Sequence, residues 1–304
     1  MKSISANLSI MIKAAEKASK MLIRDFGEIE KLQVSIKGPS DFVSSADKNA
    51  EKTIIQELLK SKKKYSIITE ESGKIINSDT NNMWIIDPID GTKGFINQRQ
   101  YAIALGLCEK GKIVGGVLGC PNMPMSKIPE DVDALETKKP GVIFAAYENL
   151  GCKYAAMDAK EPVGKDSFTA TSDQVVKCGE DGARYMESWG DSIVADHAFT
   201  NALSEKVGIT RKALRIDSQA KYGSLSRGDA HIYLRFPPKT YREKVWDHAA
   251  GAIIISESGG VISDAAGVPL EFGNGRFLDI NGGIVASATP ELHEQLLKAI
   301  ADLR

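Results

Sequence analysis

Two carboxylates three positions apart, Asp87 and Asp90, close an apolar run that begins Trp84-Ile85-Ile86, and Gly91-Thr92-Lys93-Gly94-Phe95 follows them. A short apolar run rich in β-branched residues and ended by a turn residue predicts a buried strand. Pro88 fixes φ between the two acids and biases Asp87 toward extended geometry. The pair would leave a sheet at its tip, and the Gly91–Thr92 backbone beyond could present N–H groups to an anion. Hard cations such as Mg²⁺ take oxygen ligands and are often shared with substrate phosphates. Metal-assisted phosphate chemistry is one reading of this stretch. A solvated Asp-Pro/Asp-Gly turn behind a core strand is the other, and the stretch alone does not decide.

Further acids stand at comparable places. Glu70 ends a short strand over Tyr65–Thr69, and only a polar segment separates it from the Trp84 strand, so the two can be sheet neighbours. Asp247, in Trp246-Asp247-His248-Ala249-Ala250-Gly251, opens an apolar helix; a helix N-terminus favours an anion or an anion's metal. Asp47 falls three residues after Ser44 at the head of another helix, the capping-box arrangement. Capping alone would account for Asp47 and for Asp247. Should Glu70, Asp87, Asp90 and Asp247 converge, they cannot all stay ionised without cations. About two or three Mg²⁺ would neutralise them and clamp the attacking and leaving oxygens of a phosphoryl transfer. Spacing leaves that convergence open.

The positioning elements follow from periodicity and punctuation. Leu8, Met11, Ala15, Ala18 and Leu22 mark one face of a helix over 7–26, with Gly27 as its stop. Ala50, Ile54 and Leu58 mark a second helix. Tyr101–Cys108 and Lys112–Cys120 read as a hairpin across Glu109-Lys110-Gly111. Pro121 to Pro140 is polar and proline-punctuated, a surface excursion, before a strand at Val142–Ala146. After about residue 160 the pattern is a second α/β lobe: a helix over Asp196–Val207, strands at Leu214–Ile216 and His231–Arg235, an apolar helix stopping at Gly259-Gly260, and a last helix from Pro290.

The chain has 304 residues, 42% hydrophobic and 26% charged, with a net charge of -1, so bulk attraction to nucleic acid or an anionic membrane is not indicated. No apolar run has the length to span a bilayer, and the first residues lack an apolar signal segment. Cys108, Cys120, Cys152 and Cys178 have no paired or metal-ligand spacing and read as reduced thiols of a cytoplasmic protein. His197, His231 and His248 also lack ligand spacing. Two rival phosphatase strings fail on chemistry. Cys178 to Arg184 has C-x5-R spacing but carries Glu180 and Asp181 where a phosphate would sit. Asp131-Val132-Asp133 has no preceding strand.

Taken together and in this order, Glu70-Glu71-Ser72, Asp87-Pro88-Ile89-Asp90-Gly91-Thr92 and Trp246-Asp247-His248-Ala249-Ala250-Gly251 resemble the lithium-sensitive, Mg²⁺-dependent phosphomonoesterase superfamily, which includes inositol monophosphatase and fructose-1,6-bisphosphatase. The resemblance implies an α/β fold, a layered αβαβα sandwich. An N-terminal lobe, 1–160, would carry most metal ligands; a C-terminal lobe, 161–304, would carry substrate contacts and one ligand. It implies Glu70, Asp87, Asp90, the Ile89 carbonyl and Asp247 as Mg²⁺ ligands, and Asp47 with Thr92 to orient and deprotonate the attacking water. The Gly91 and Thr92 amides would hold the phosphate.

From residue 91 the chain resembles the 3'(2'),5'-bisphosphate nucleotidases, in Gly91–Phe95, Leu118–Asn122, Asp217–Tyr222, Tyr233–Arg235 and Phe272–Arg276. Lys37–Asp47 and the short link from Glu71 to Trp84 resemble inositol monophosphatase. The resemblance implies hydrolysis of the 3'-phosphate of 3'-phosphoadenosine 5'-phosphate, with inositol monophosphatase activity as the alternative. It assigns Ser218, Lys221 and Arg235 to substrate binding, where the bare residues also read as a helix-start hydroxyl and two solvated cations. Only His197 fits the two-histidine segment that the nucleotidases carry near the base site. A small phosphorylated substrate is the implied partner, with a homodimer as the favoured assembly. A role as an RNA- or transcription-complex partner is the non-enzymatic alternative, and near-neutral charge argues against it.

Overall fold

The computed structural model describes residues 5–27, 34–36, 42–73, 81–129, 141–158, 163–164, 167–171, 174, 182–189 and 194–304. Its first helix, α1 (Ala6–Phe26), buries Leu8, Met11, Ala15, Ala18 and Leu22 along the stripe that periodicity marks, and Gly27 caps it. Two short antiparallel strands, β1 (Val34–Ile36) and β2 (Phe42–Ser44), lead directly into α2 (Ser45–Leu58), whose Ala50, Ile54 and Leu58 are buried against the same core.

Seven strands form the first sheet in simple sequence order: β3 (Ser66–Thr69), β4 (Asn82–Asp90), β5 (Ala102–Glu109), β6 (Lys112–Cys120), β7 (Gly141–Tyr147), β8 (Gly151–Met157) and β9 (Thr169–Ala170). β3 runs parallel to β4, and each later neighbour is antiparallel. The expected adjacency of the Glu70 and Trp84 strands and the expected hairpin are both present. A short helix, α3 (Thr92–Ile96), follows β4.

The second sheet has the order β11-β10-β12-β14-β13, built from β10 (Tyr185–Glu187), β11 (Leu214–Arg215), β12 (Ile232–Arg235), β13 (Val261–Asp264) and β14 (Ile284–Ser287). The remaining helices are α4 (His197–Lys206), α5 (Ala220–Arg227), α6 (Ala249–Glu257) and α7 (Pro290–Leu303). α1 and α2 cover the outer face of the first sheet, α5 and α6 lie between the sheets, and α4 and α7 cover the outer face of the second. This is the αβαβα sandwich. α6 sits almost on the backbone of β6, because a Cβ on Gly116 would lie 2.4 Å from the Ile253 side chain and 2.7 Å from the Ala250 carbonyl.

The stretch expected as a surface excursion is only partly one. Met123 and Ile128 are buried, and the buried Arg227–Asp229 ion pair clamps the segment. Arg227 donates to the Pro124 and Met125 carbonyls, and Asp229 accepts from the Ile128 amide. Residues 130–140, with Asp131 and Asp133, lie outside the described residues, as does Cys178.

Candidate active site

In a regular strand, residues three apart point to opposite faces, so Asp87 and Asp90 could not share a site. Pro88 has no N–H for the ladder, and the β4–β5 register shifts between Asp87 and Asp90. Such an irregularity re-aims a side chain. One carboxylate oxygen from each of Asp87, Asp90 and Asp247 consequently lies within 4.8 Å of the other two. Because β3 and β4 are parallel, their carboxyl ends share one edge, and the Glu70 amide donates to the Ile86 carbonyl at 3.1 Å, beside Asp87. Asp247 arrives from a single 3-10 turn, Val245–Asp247, immediately before α6.

The remaining expected residues gather around these acids. Glu70, Ile89, Asp90, Gly91, Thr92, Ser218, Lys221, Arg235 and Asp247 all line one pocket. Asp47 and Asp87 are not part of that lining; each is 1% exposed, and the charge of Asp47 acts on Asp87. The Thr92 hydroxyl donates to the Ile89 carbonyl at 3.2 Å. Gly91 has φ +84°, and a Cβ there would lie 2.8 Å from Ser218 Cβ, so only glycine lets the two loops meet. Ser218 Oγ accepts from the Ala220 amide at 3.2 Å, the helix-start hydroxyl expected. The reading of Lys221 and Arg235 as solvated cations does not hold. Lys221 is buried and donates to Ser188 Oγ at 3.0 Å and to the Ile216 carbonyl at 2.9 Å. Arg235 donates through Nε to Glu243 at 2.7 Å and through Nη2 to Asp247 at 2.8 Å.

Burial dominates the electrostatics. It pushes the Asp87 carboxyl well above its usual range, and the charges of Glu70, Asp90, Asp247 and Asp47 add to the shift. Burial also moves Asp90 up to about 6, with Asp247 contributing, while the Gln219 amide, Arg235 and Lys221 oppose it. Lys221 is pushed down to about 8 by burial, against the pull of Asp217 and Asp90. Neither buried oxygen of Asp87 has a hydrogen-bond partner among the described residues. Orphaned hard-oxygen donors among like charges fit a hard divalent cation.

Periodicity and motif spacing missed several neighbours. Glu243, His248 and Tyr222 extend inward from Arg235, the Gln219 amide donates to Asp90, and Asp217 accepts from Arg99 at 2.7 Å. Asp217 and Gln219 lie in a stretch already noted for its resemblance. Nothing local marks Glu243, four residues before Asp247, as a partner of Arg235. His197 is bonded to Glu187 at 3.0 Å and lines a neighbouring groove with Glu187 and Arg215.

The sequence model of the inositol monophosphatase family matches residues 5–304. The chain belongs to that family. Among curated family relatives, a 3'(2'),5'-bisphosphate nucleotidase of Oryza sativa is 42% identical over 233 residues, 76% of this chain and 62% of its own. One from Schizosaccharomyces pombe is 41% identical over 236 residues, again 76% and 62%. The chain thus spans about three fifths of the length of these relatives. Two solved structures share the family fold. The extragenic suppressor protein suhB of Bartonella henselae superposes with a TM-score of 0.70 at 26% identity, covering 97% of this chain and 98% of its own. CysQ of Bacteroides thetaiotaomicron, described as a bacterial member of the family, gives 0.67 at 20% identity, covering 94% and 98%.

Proposed function

We propose that this chain is a Mg²⁺-dependent phosphomonoesterase that removes the 3'-phosphate of 3'-phosphoadenosine 5'-phosphate to leave AMP. The observation that carries the reading is the meeting of the Asp87, Asp90 and Asp247 carboxylates in a pocket that also holds buried cations. Relatives about two fifths identical bear the nucleotidase name, which favours the nucleotide over an inositol phosphate.

Glu70, Asp87, Asp90, Asp247 and the Ile89 carbonyl would hold the metal ions. When bound, the ions supply Lewis-acid polarisation of the phosphoryl group and a water of lowered pKa. The chain's own residues do the rest. Gly91 and Thr92, at the turn that opens α3, line the pocket, and we assign their amides to holding the phosphate. Asp47 is placed at the first turn of α2 so that its charge is felt at Asp87, and we assign it, with Thr92, to orienting water and accepting its proton. Lys221 offers a point charge to the phosphate that is not cleaved, and Ser218 a hydroxyl beside Gly91.

The first sheet runs through β9 at Thr169–Ala170 and the second starts at β10, so we place the division between the lobes after residue 170 rather than at 160. The buried thiols of Cys108, Cys120 and Cys152 accord with a reducing, cytoplasmic setting. Pairing with a second copy is carried over from the resemblance. No described helix is long and apolar enough to cross a membrane.

A phosphate-release panel over 3'-phosphoadenosine 5'-phosphate, inositol 1-phosphate and AMP tests the reading. Preference for the bisphosphate is the expected result, with Li⁺ inhibiting at subsaturating Mg²⁺. Preference for inositol 1-phosphate moves the assignment to inositol monophosphatase.

A further inference from the structure

A chain of hydrogen bonds runs inward from Asp247. Its Oδ2 accepts from Arg235 Nη2 at 2.8 Å, and Arg235 Nε donates to Glu243 Oε1 at 2.7 Å. Glu243 Oε2 meets His248 Nε2 at 3.1 Å, and His248 Nδ1 meets the Tyr222 hydroxyl at 2.7 Å. The side chains of Glu243 and His248 are both 0% exposed. The far end is anchored by packing, since the Tyr222 ring lies where a Cβ on Gly251 would be, 2.0 Å from its Cδ2.

A guanidinium beside a carboxylate prefers a two-pronged contact, with parallel N–H groups on both oxygens. Arg235 in that arrangement would take both oxygens of Asp247 and compete with a cation for the same lone pairs. The Nε/Nη2 edge is one of those that make such a fork, and here it is divided between two acids, Nε to Glu243 and Nη2 to Asp247. Asp247 therefore receives a single N–H from Arg235, and among the described residues its Oδ1 has no hydrogen bond in the structure.

We propose that Glu243 and His248 are positioning residues: they hold Arg235 to one contact with Asp247 and so leave the other oxygen of that carboxylate to the metal ion. The inference rests on the proposed metal-dependent reading of the pocket. Glu243, Asp247 and His248 lie close enough to form a ligand group themselves. Arg235, however, binds Glu243 and Asp247 together, and a cation there would have to displace a fixed positive charge. His248 in turn fixes Glu243 by occupying its second oxygen, and Tyr222 fixes the imidazole.

The test is Mn²⁺ binding to metal-free protein without substrate, followed by loss of the free-ion paramagnetic resonance signal. Four proteins are compared: the unaltered chain, Asp90→Asn, Glu243→Gln, and the double variant Arg235→Gln/Glu243→Gln. Thermal unfolding of each is recorded alongside. Glu243→Gln should weaken Mn²⁺ binding by ~10-fold or more, the usual effect of losing a residue that orients a ligand. The double variant, with no guanidinium to compete, should bind within about twofold of the unaltered chain. Unchanged Mn²⁺ affinity in Glu243→Gln, with only a lower unfolding midpoint, would make Glu243 a purely structural residue and overturn the proposal. A double variant that loses Mn²⁺ as fully as Asp90→Asn would make Glu243 a ligand and overturn it as well. Should Glu243→Gln alone not fold, the double variant decides, because replacing both members of the buried Arg235–Glu243 pair strands neither of them and leaves only the partly exposed Asp247 without its guanidinium. Equal Mn²⁺ binding by the unaltered chain and Asp90→Asn would remove the metal reading itself, an outcome distinct from the other two.

Discussion

Asp87 is 1% exposed, and neither of its oxygens is hydrogen-bonded among the described residues, with Glu70, Asp90 and Asp247 raising its proton affinity further. A buried acid in that state either holds a proton or meets a cation. Asp90 shares the burden but also accepts the Gln219 amide. Asp90→Asn keeps the volume and removes one charge; it should abolish Mg²⁺-dependent phosphate release while circular dichroism and the unfolding transition remain near normal. Near-native turnover with unchanged folding would refute the metal assignment. The two cations divide in role. Among the described residues, Lys221 bonds neutral oxygens alone, those of Ser188 and Ile216. Lys221→Met should therefore lower kcat/KM for 3'-phosphoadenosine 5'-phosphate by ~10–100-fold and that for inositol 1-phosphate much less. Arg235 is different. From sequence, its loss is expected to weaken hydrolysis of the bisphosphate and to affect inositol 1-phosphate much less, whereas Arg235→Ala in this structure removes the guanidinium that both Glu243 and Asp247 are bonded to. Losses of similar size on both substrates, with a lower unfolding midpoint, are now the expectation, and a bisphosphate-selective loss would count against it. The acids were legible because their residue types and motif order carry the chemistry. The Arg235–Glu243–His248 chain was not, because its partners are brought together by the packing of β12 against α5 and of α5 against α6.

Elements with a strong period or a clear punctuation mark could be read in advance: α1 with its stripe and Gly27, the β5–β6 hairpin, and α7 starting at Pro290. Thr289 accepts the Leu292 amide at the start of α7, the capping that Pro290 foreshadows. Strands of two or three residues such as β9, β10 and β11 carry too few positions for any period to show. The bulge that aims Asp87 and Asp90 to one side was half visible. Pro88 signals an interrupted ladder, but the side to which the chain then turns depends on β5. Near the start of α7, His293 is buried between Ser263 and Ser287, at 2.8 and 2.9 Å. Burial alone holds its pKa down to about 4. The unfolded chain then takes up a proton near the ordinary histidine value of about 6.5, while the folded chain resists until about 4. Stability present above about 6.5 should fall as pH drops through the interval to about 4. His293→Gln should flatten that part of the curve of unfolding midpoint against pH. An unaltered slope in the variant would assign the loss to other groups.

Across the whole molecule, the site joins separate layers: Asp87 and Asp90 come from the first sheet, and Asp247 from the turn into the helix layer between the sheets. Like charges gathered at that junction oppose its closure, and a cation reverses the sign of the interaction. Folding and metal binding are consequently linked, and an ion that binds only the folded chain stabilises it by ~2.7 kcal/mol at a hundred times its dissociation constant. Mg²⁺ added to metal-free protein should raise the unfolding midpoint in a concentration-dependent way. Asp87→Asn should do two opposite things. By removing an acid that, without a cation, must take up a proton or keep its charge among Glu70, Asp90 and Asp247 in order to fold, it should unfold at a higher temperature than the unaltered chain in chelator. By removing a ligand, it should lose most of the Mg²⁺-dependent rise and the phosphate release with it. Differential scanning calorimetry of both proteins, with chelator and across a Mg²⁺ series, reads both effects in one experiment. An Asp87→Asn protein less stable than the unaltered chain in chelator would show that the carboxyl is accommodated there without cost in the absence of a cation. A full Mg²⁺-dependent rise in that variant would show that the ion is held elsewhere.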